Sequence, residues 1–157
     1  ILRKNLTDLL EGGQAYAPIE TALKGLKSRL RNVRPSEGLH SVYEEIEHMR
    51  IAQEDILRFT LDAEWQSPTW PEGYWPETAE PPSERSWQES VRALLDATES
   101  MAAIVEDPEN DLYAQVPSAE KSHHHTLRAA LILLDHNGYH AGQLIDLRIA
   151  LGIWPSG

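Results

Sequence analysis

The chain contains no cysteine. Disulfides, cysteine-based zinc sites and thiol nucleophiles are therefore excluded. There is no run of about 18 apolar residues free of charge, which excludes a transmembrane helix on length. Basic residues are scarce: 14 Lys and Arg stand against 25 Asp and Glu, a formal charge of -11 at pH 7. That balance disfavours an electrostatic hold on nucleic acid or on an anionic membrane. Strand-like alternation is missing, and no internal repeat is visible. No signal peptide is visible either, although the chain opens at Ile1 without Met, and the cytoplasm is the expected compartment.

What is present is helical periodicity. The 157 residues suffice for one domain with a substantial core, taken as 1–157. Leu2, Leu6, Leu9 and Leu10 make a short amphipathic segment that Gly12-Gly13 ends. Pro18 suits the first turn of a new helix, which Ile19, Leu23, Leu26 and Leu30 continue. Ser41 with Glu44 forms a capping-box pattern before a stripe of Val42, Ile46, Met49, Ala52, Ile56 and Phe59. Ser86 with Glu89 forms another, ahead of a helix running to about Glu106. The last helix spans about Thr126 to Leu151. Between the second and third long helices, from Trp65 to Arg85, Trp65, Trp70 and Trp75 recur among five prolines. The prolines forbid a long helix there, and the aromatics argue for an ordered excursion packed on the body rather than for disorder. The expected architecture is an all-α antiparallel four-helix bundle with this long Trp/Pro-rich loop between its second and third main helices.

One pair of residues breaks the apolar pattern. His136 and His140 share a stripe with Ala129, Leu133, Leu144, Leu147 and Leu151. Residues four apart on a helix lie about 40° from each other and one turn up, so both imidazoles can reach one metal ion. The other reading is two core histidines, each hydrogen-bonded to a neighbour, since an unpartnered buried polar group costs roughly 1–3 kcal/mol. Spacing alone leaves both open. His48 falls only at the edge of its own helix's stripe, near Asp55, with Glu44 and Glu45 one turn earlier and placed to orient its second nitrogen. His123, His124 and His125 form a cluster, but His125 is roughly 16 Å from His136 along a helix, too far to share an ion. They read as helix-start and solvated loop residues. Tyr139, Asp135 and Gln143 fall largely outside the histidine stripe, and no general acid or base stands out.

With those residues in view, the chain resembles the DinB-like (DinB/YfiT-like, damage-inducible protein B-like) superfamily of four-helix-bundle metalloenzyme candidates. The resemblance rests on Glu47-His48-Met49-Arg50 and on His136-Asn137-Gly138-Tyr139-His140-Ala141-Gly142-Gln143-Leu144, running into Leu147-Arg148 and Leu151-Gly152. The Trp70-Pro71-Glu72-Gly73-Tyr74-Trp75-Pro76 stretch looks like a feature of one branch. The break at Gly12-Gly13 departs from a simple long first helix. The resemblance implies a metal site of His48, His136 and His140, with open positions for water or substrate, as in catalytic zinc sites. Zinc or nickel is the expected ion, with iron or copper also suited to imidazole. It further implies a small-molecule substrate, a low-molecular-weight thiol as a partner, and a homodimer. A metal-dependent transferase or hydrolase is the function expected. The alternative is a non-catalytic metal-binding or interaction bundle.

Overall fold

The computed structural model describes residues 1–117 and 124–154. His123, of the histidine cluster, lies outside the described residues. The helices are α1 (Leu2–Leu10), α2 (Ile19–Leu23), α3 (Val42–Leu61), α4 (Glu84–Glu106) and α5 (Thr126–Ala150). Among the described residues there is no strand, only an isolated bridge between Gln115 and His125. No helix there is long and apolar enough to cross a membrane.

Where helices begin and end follows from local chemistry. α1 stops at Gly12 and Gly13, whose φ of 80° and 78° favours residues without Cβ. The helix expected from Ile19 through Leu30 is cut short. α2 has only five residues, Lys24 is extended, and Gly25 takes φ 72°, so Leu26 and Leu30 belong to a turn and a separate 3-10 segment, Ser28–Leu30. The capping box at α3 is complete. Ser41 accepts from the Glu44 amide, and the Glu44 carboxylate accepts from the Ser41 amide. The box expected at Ser86 and Glu89 is not formed. α4 starts earlier, with Ser83 accepting from the Ser86 amide, while Glu89 pairs with Arg85 at 2.7 Å. α5 is capped by His125, whose Nδ1 accepts from the Arg128 amide, as the helix-start reading expects.

Pairings across helices fix their directions. Glu45 meets His140, His48 meets His136 and Phe59 meets His124, so α3 and α5 are antiparallel. Arg3 at the start of α1 bonds the carbonyls of Val105 and Asn110 at the end of α4, so these two are antiparallel as well. α3 and α4 run the same way, and the excursion between them explains how. It returns along α3, bonding Trp65 to Asp55, then the Tyr74 carbonyl to His48, then the Ala79 carbonyl to Ser41. Each step of the loop thus lies about two turns nearer the N-terminus of α3.

Two apolar clusters fill the bundle. One joins Ile46, Met49, Leu94, Leu144 and Leu147, and the other joins Leu6, Leu10, Met101, Val105 and Leu133. Each fully buried side chain of this kind stabilises the fold by roughly 1.5–3 kcal/mol. Between them in register sits a polar knot: Gln53 donates to Asn137 at 2.6 Å, and Thr98 donates to Gln53 at 2.7 Å. The knot ties α3, α4 and α5 together one residue from His136. At the far end Arg148, 1% exposed, donates to the carbonyls of Ala22 and Ile153 and lies under the Trp154 ring. Trp154 therefore covers that end of the bundle.

Candidate metal centre

The antiparallel packing of α3 on α5 brings together three side chains remote in sequence. His48, His136 and His140 each offer a ring nitrogen, and the three atoms lie within 4.8 Å of one another. His48 and His140 are buried, and His136 is half-buried. These are the three histidines the family resemblance implies. His48 reaches the group because it stands one turn beyond Glu45 and one turn before Ala52, on the side of α3 that faces α5 and the excursion.

Hydrogen bonds fix which nitrogen His48 and His140 can offer. His48 Nδ1 is 2.8 Å from the Tyr74 carbonyl oxygen. A carbonyl only accepts, so Nδ1 carries the proton and Nε2 keeps its lone pair. His140 Nδ1 is 2.7 Å from Glu45 Oε2, and the same argument leaves Nε2 as the atom it can offer. His136 Nε2 sits 3.2 Å from His48 Nε2, and its Nδ1 is buried with no partner among the described residues. With no ion between them, a neutral His136 can donate its Nε2–H to the His48 lone pair; with a cation there, both nitrogens offer lone pairs. A charged imidazole is disfavoured at His136: burial, then His140 and His48, push its pKa down to about 3. Burial likewise holds His48 below the usual histidine value, partly offset by its bond to Tyr74. Three neutral imidazoles with lone pairs turned to one place fit a divalent transition metal.

The walls of the site come from parts the sequence had left unassigned. Trp75 stacks on the His48 ring, with centroids 4.2 Å apart and planes at 11°. The excursion is therefore a wall of the centre and not only loop packing. Glu44 and Glu45 do not serve His48, as the sequence suggested. Glu44 is occupied by its cap and by Arg34, and Glu45 holds His140 and His40 instead. Helix geometry explains the exchange. Glu45 points across to α5, while the outer nitrogen of His48 points to the excursion.

A cleft of about 540 Å³ opens beside the three rings. Tyr139 and Gln143 line it, although the helical wheel set them largely off the histidine stripe. Tyr139 stands edge-on to His140 and is 66% exposed. Asp135 is exposed and takes no part in the lining. Asp55, at the other wall, accepts from Trp65 Nε1 and from the Tyr74 hydroxyl at 2.6 Å. Burial and that bond raise the Tyr74 pKa to about 12, so this hydroxyl stays protonated and acts as a structural donor. The signal for these residues in the sequence was the aromatic density of the excursion. Its register against α3 was not readable.

His124 and His125 lie apart from the centre, near Phe59 and Tyr113. No curated protein and no solved structure matches the chain. A family model described as the DinB superfamily matches residues 13–144, most of the chain, and the protein belongs to that superfamily.

Proposed function

We propose that this protein is a metal-dependent enzyme acting on small molecules, with His48, His136 and His140 holding a divalent transition metal. Zinc or nickel is the favoured ion, and iron or copper suits the same imidazoles. The reaction is a transfer that uses a low-molecular-weight thiol, or a hydrolysis. The observation that carries this reading is the meeting of three imidazole nitrogens, within 4.8 Å of one another, at the edge of an open cleft of about 540 Å³. A closed structural site would leave no such space.

When bound, the ion supplies Lewis acidity toward a thiol or carbonyl group. The chain's own residues do the rest. Trp75 and Tyr74 keep bulk water from the outer face of His48. Asp55 holds the Tyr74 hydroxyl and so pins the excursion against α3. Tyr139 and Gln143, bonded to each other at 3.3 Å, stand at the cleft wall where a substrate would lie.

The test is elemental analysis of purified protein, followed by assays with a small thiol plus an electrophilic chloroarene and with an activated ester. One divalent ion per chain and measurable turnover are expected, both lost in His140→Ala. A stoichiometric ion without turnover on either substrate type would favour a non-catalytic metal-binding bundle. No stoichiometric ion would favour an interaction bundle with core histidines.

A further inference from the structure

Behind the three rings lies the carboxylate of Glu45, 3% exposed. Both of its oxygens are engaged. Oε2 accepts from His140 Nδ1 at 2.7 Å, and Oε1 accepts from His40 Nδ1 at 3.0 Å. His40 immediately precedes Ser41, the N-cap of α3, and its side chain is 41% exposed at the cleft. Its ring also tilts against Trp75, with centroids 3.8 Å apart, and Trp75 is the ring that stacks on His48. His40 therefore touches the support of two candidate ligands, yet it is not one of the three that converge.

We propose that His40 and Glu45 form a positioning pair for the metal centre. Glu45 fixes His140 as the Nδ1–H tautomer, and His40 fixes Glu45, so a residue outside the ligand set governs cation affinity. The proposal rests on the metal-binding reading given above. Its physical basis is twofold. A ligating imidazole whose other nitrogen donates to a carboxylate is a stronger base with a fixed ring plane. A buried carboxylate held at both oxygens has one orientation, whereas one held at a single oxygen can turn toward water in the cleft. The anion also offsets part of a dication's charge, which three neutral imidazoles do not.

Two measurements test the pair. The first is long-range proton–nitrogen NMR of the histidine rings in metal-free, nitrogen-15-labelled protein. His140 is expected as a single Nδ1–H tautomer, becoming a mixture in Glu45→Ala. The second is zinc affinity by competition with a chelator. Glu45→Ala is expected to weaken zinc by about 10–100-fold. His40→Ala, which loses one hydrogen bond, is expected to weaken it by roughly three- to tenfold. In the double variant His40→Ala has no further effect beyond about twofold, because its route through Glu45 is gone. Where Glu45→Ala does not fold, Glu45→Gln keeps the size and one acceptor oxygen, and a smaller loss of affinity with a retained tautomer is expected.

Zinc affinity of a folded Glu45 variant within about twofold of the parent overturns the pair while leaving the three-histidine site standing. A full His40→Ala effect on the Glu45→Ala background overturns the coupling. An unchanged His140 tautomer in Glu45→Ala overturns the positioning role. Parent protein that binds no zinc, nickel, iron or copper overturns both this proposal and the function it rests on.

Discussion

Each histidine of the centre is held differently at its outer nitrogen: His48 by a backbone carbonyl of the excursion, His140 by a carboxylate of α3, His136 by nothing among the described residues. Placement of His136 falls instead to its neighbour. Asn137 is 2% exposed and accepts from Gln53 at 2.6 Å, so the turn of α5 that carries His136 is keyed to α3 through one amide. Asn137→Ala removes that acceptor and strands the buried Gln53 donor. The expected cost is about 1–3 kcal/mol, read from denaturant unfolding. Asn137→Ala with unchanged stability would mean that water replaces the amide and that the knot has no structural weight. At this scale the His136 and His140 pair was legible, because a helix alone fixes residues four apart on one face. His48 was not legible from periodicity. Its position depends on how α3 packs on α5, and only the family resemblance supplied it. Glu45 was seen in the sequence but matched to the wrong histidine, because one helix cannot report what stands opposite it.

At the level of elements, the excursion and α3 share a single anchor at Ser41. Its hydroxyl accepts from the Glu44 amide at 3.2 Å and donates to the Ala79 carbonyl at 3.1 Å, so one fully buried side chain caps the helix and closes the return of the loop. Ser41→Ala is expected to cost about 1–2 kcal/mol for the cap, with the Ala79 carbonyl losing its partner besides. Thermal unfolding of the variant beside Ser83→Ala tests this. Ser83 caps α4 on an exposed surface, and the smaller shift is expected there. Equal shifts would show that the loop closure adds nothing to the cap. The contrast also explains which helix starts were readable. At Ser41 one capping residue precedes the apolar stripe. Before α4 the box spacing of Ser86 and Glu89 points to the later serine, yet Ser83 takes the cap without a box, and Glu84 in the first turn reaches Arg31 at 2.5 Å from a segment far away in sequence. The early end of α2 had a readable sign in Gly25, which the leucine spacing outweighed.

Across the whole molecule, the helix directions, the centre and the acid sensitivity of the fold are linked. Parallel α3 and α4 require a long return path, and that path is laid over the face where α3 and α5 bring their histidines together. The fold therefore buries imidazoles in their neutral form. For His136 the folded pKa lies at about 3 against an ordinary 6.5, and burial lowers His48 too. Both are groups whose folded pKa is depressed. Their contribution is complete above about pH 6.5 and is lost as pH falls toward the folded value, because the unfolded chain takes up the protons first. Glu44 acts in the same direction at lower pH. Its burial opposes ionisation, but Arg34 and the Ser41 cap outweigh that and hold its pKa below 4.5. The melting temperature of metal-free protein is thus expected to fall steadily from pH 7 to pH 5, before most carboxylates titrate. His136→Leu should flatten that slope. Saturating zinc should raise the melting temperature at pH 7 and lose its effect toward pH 5, since protons and the ion compete for the same lone pairs. A metal-free melting temperature that stays level across this window would show that the histidines gain protons without strain, and that their burial is shallower than the packing of α3, α5 and the excursion implies.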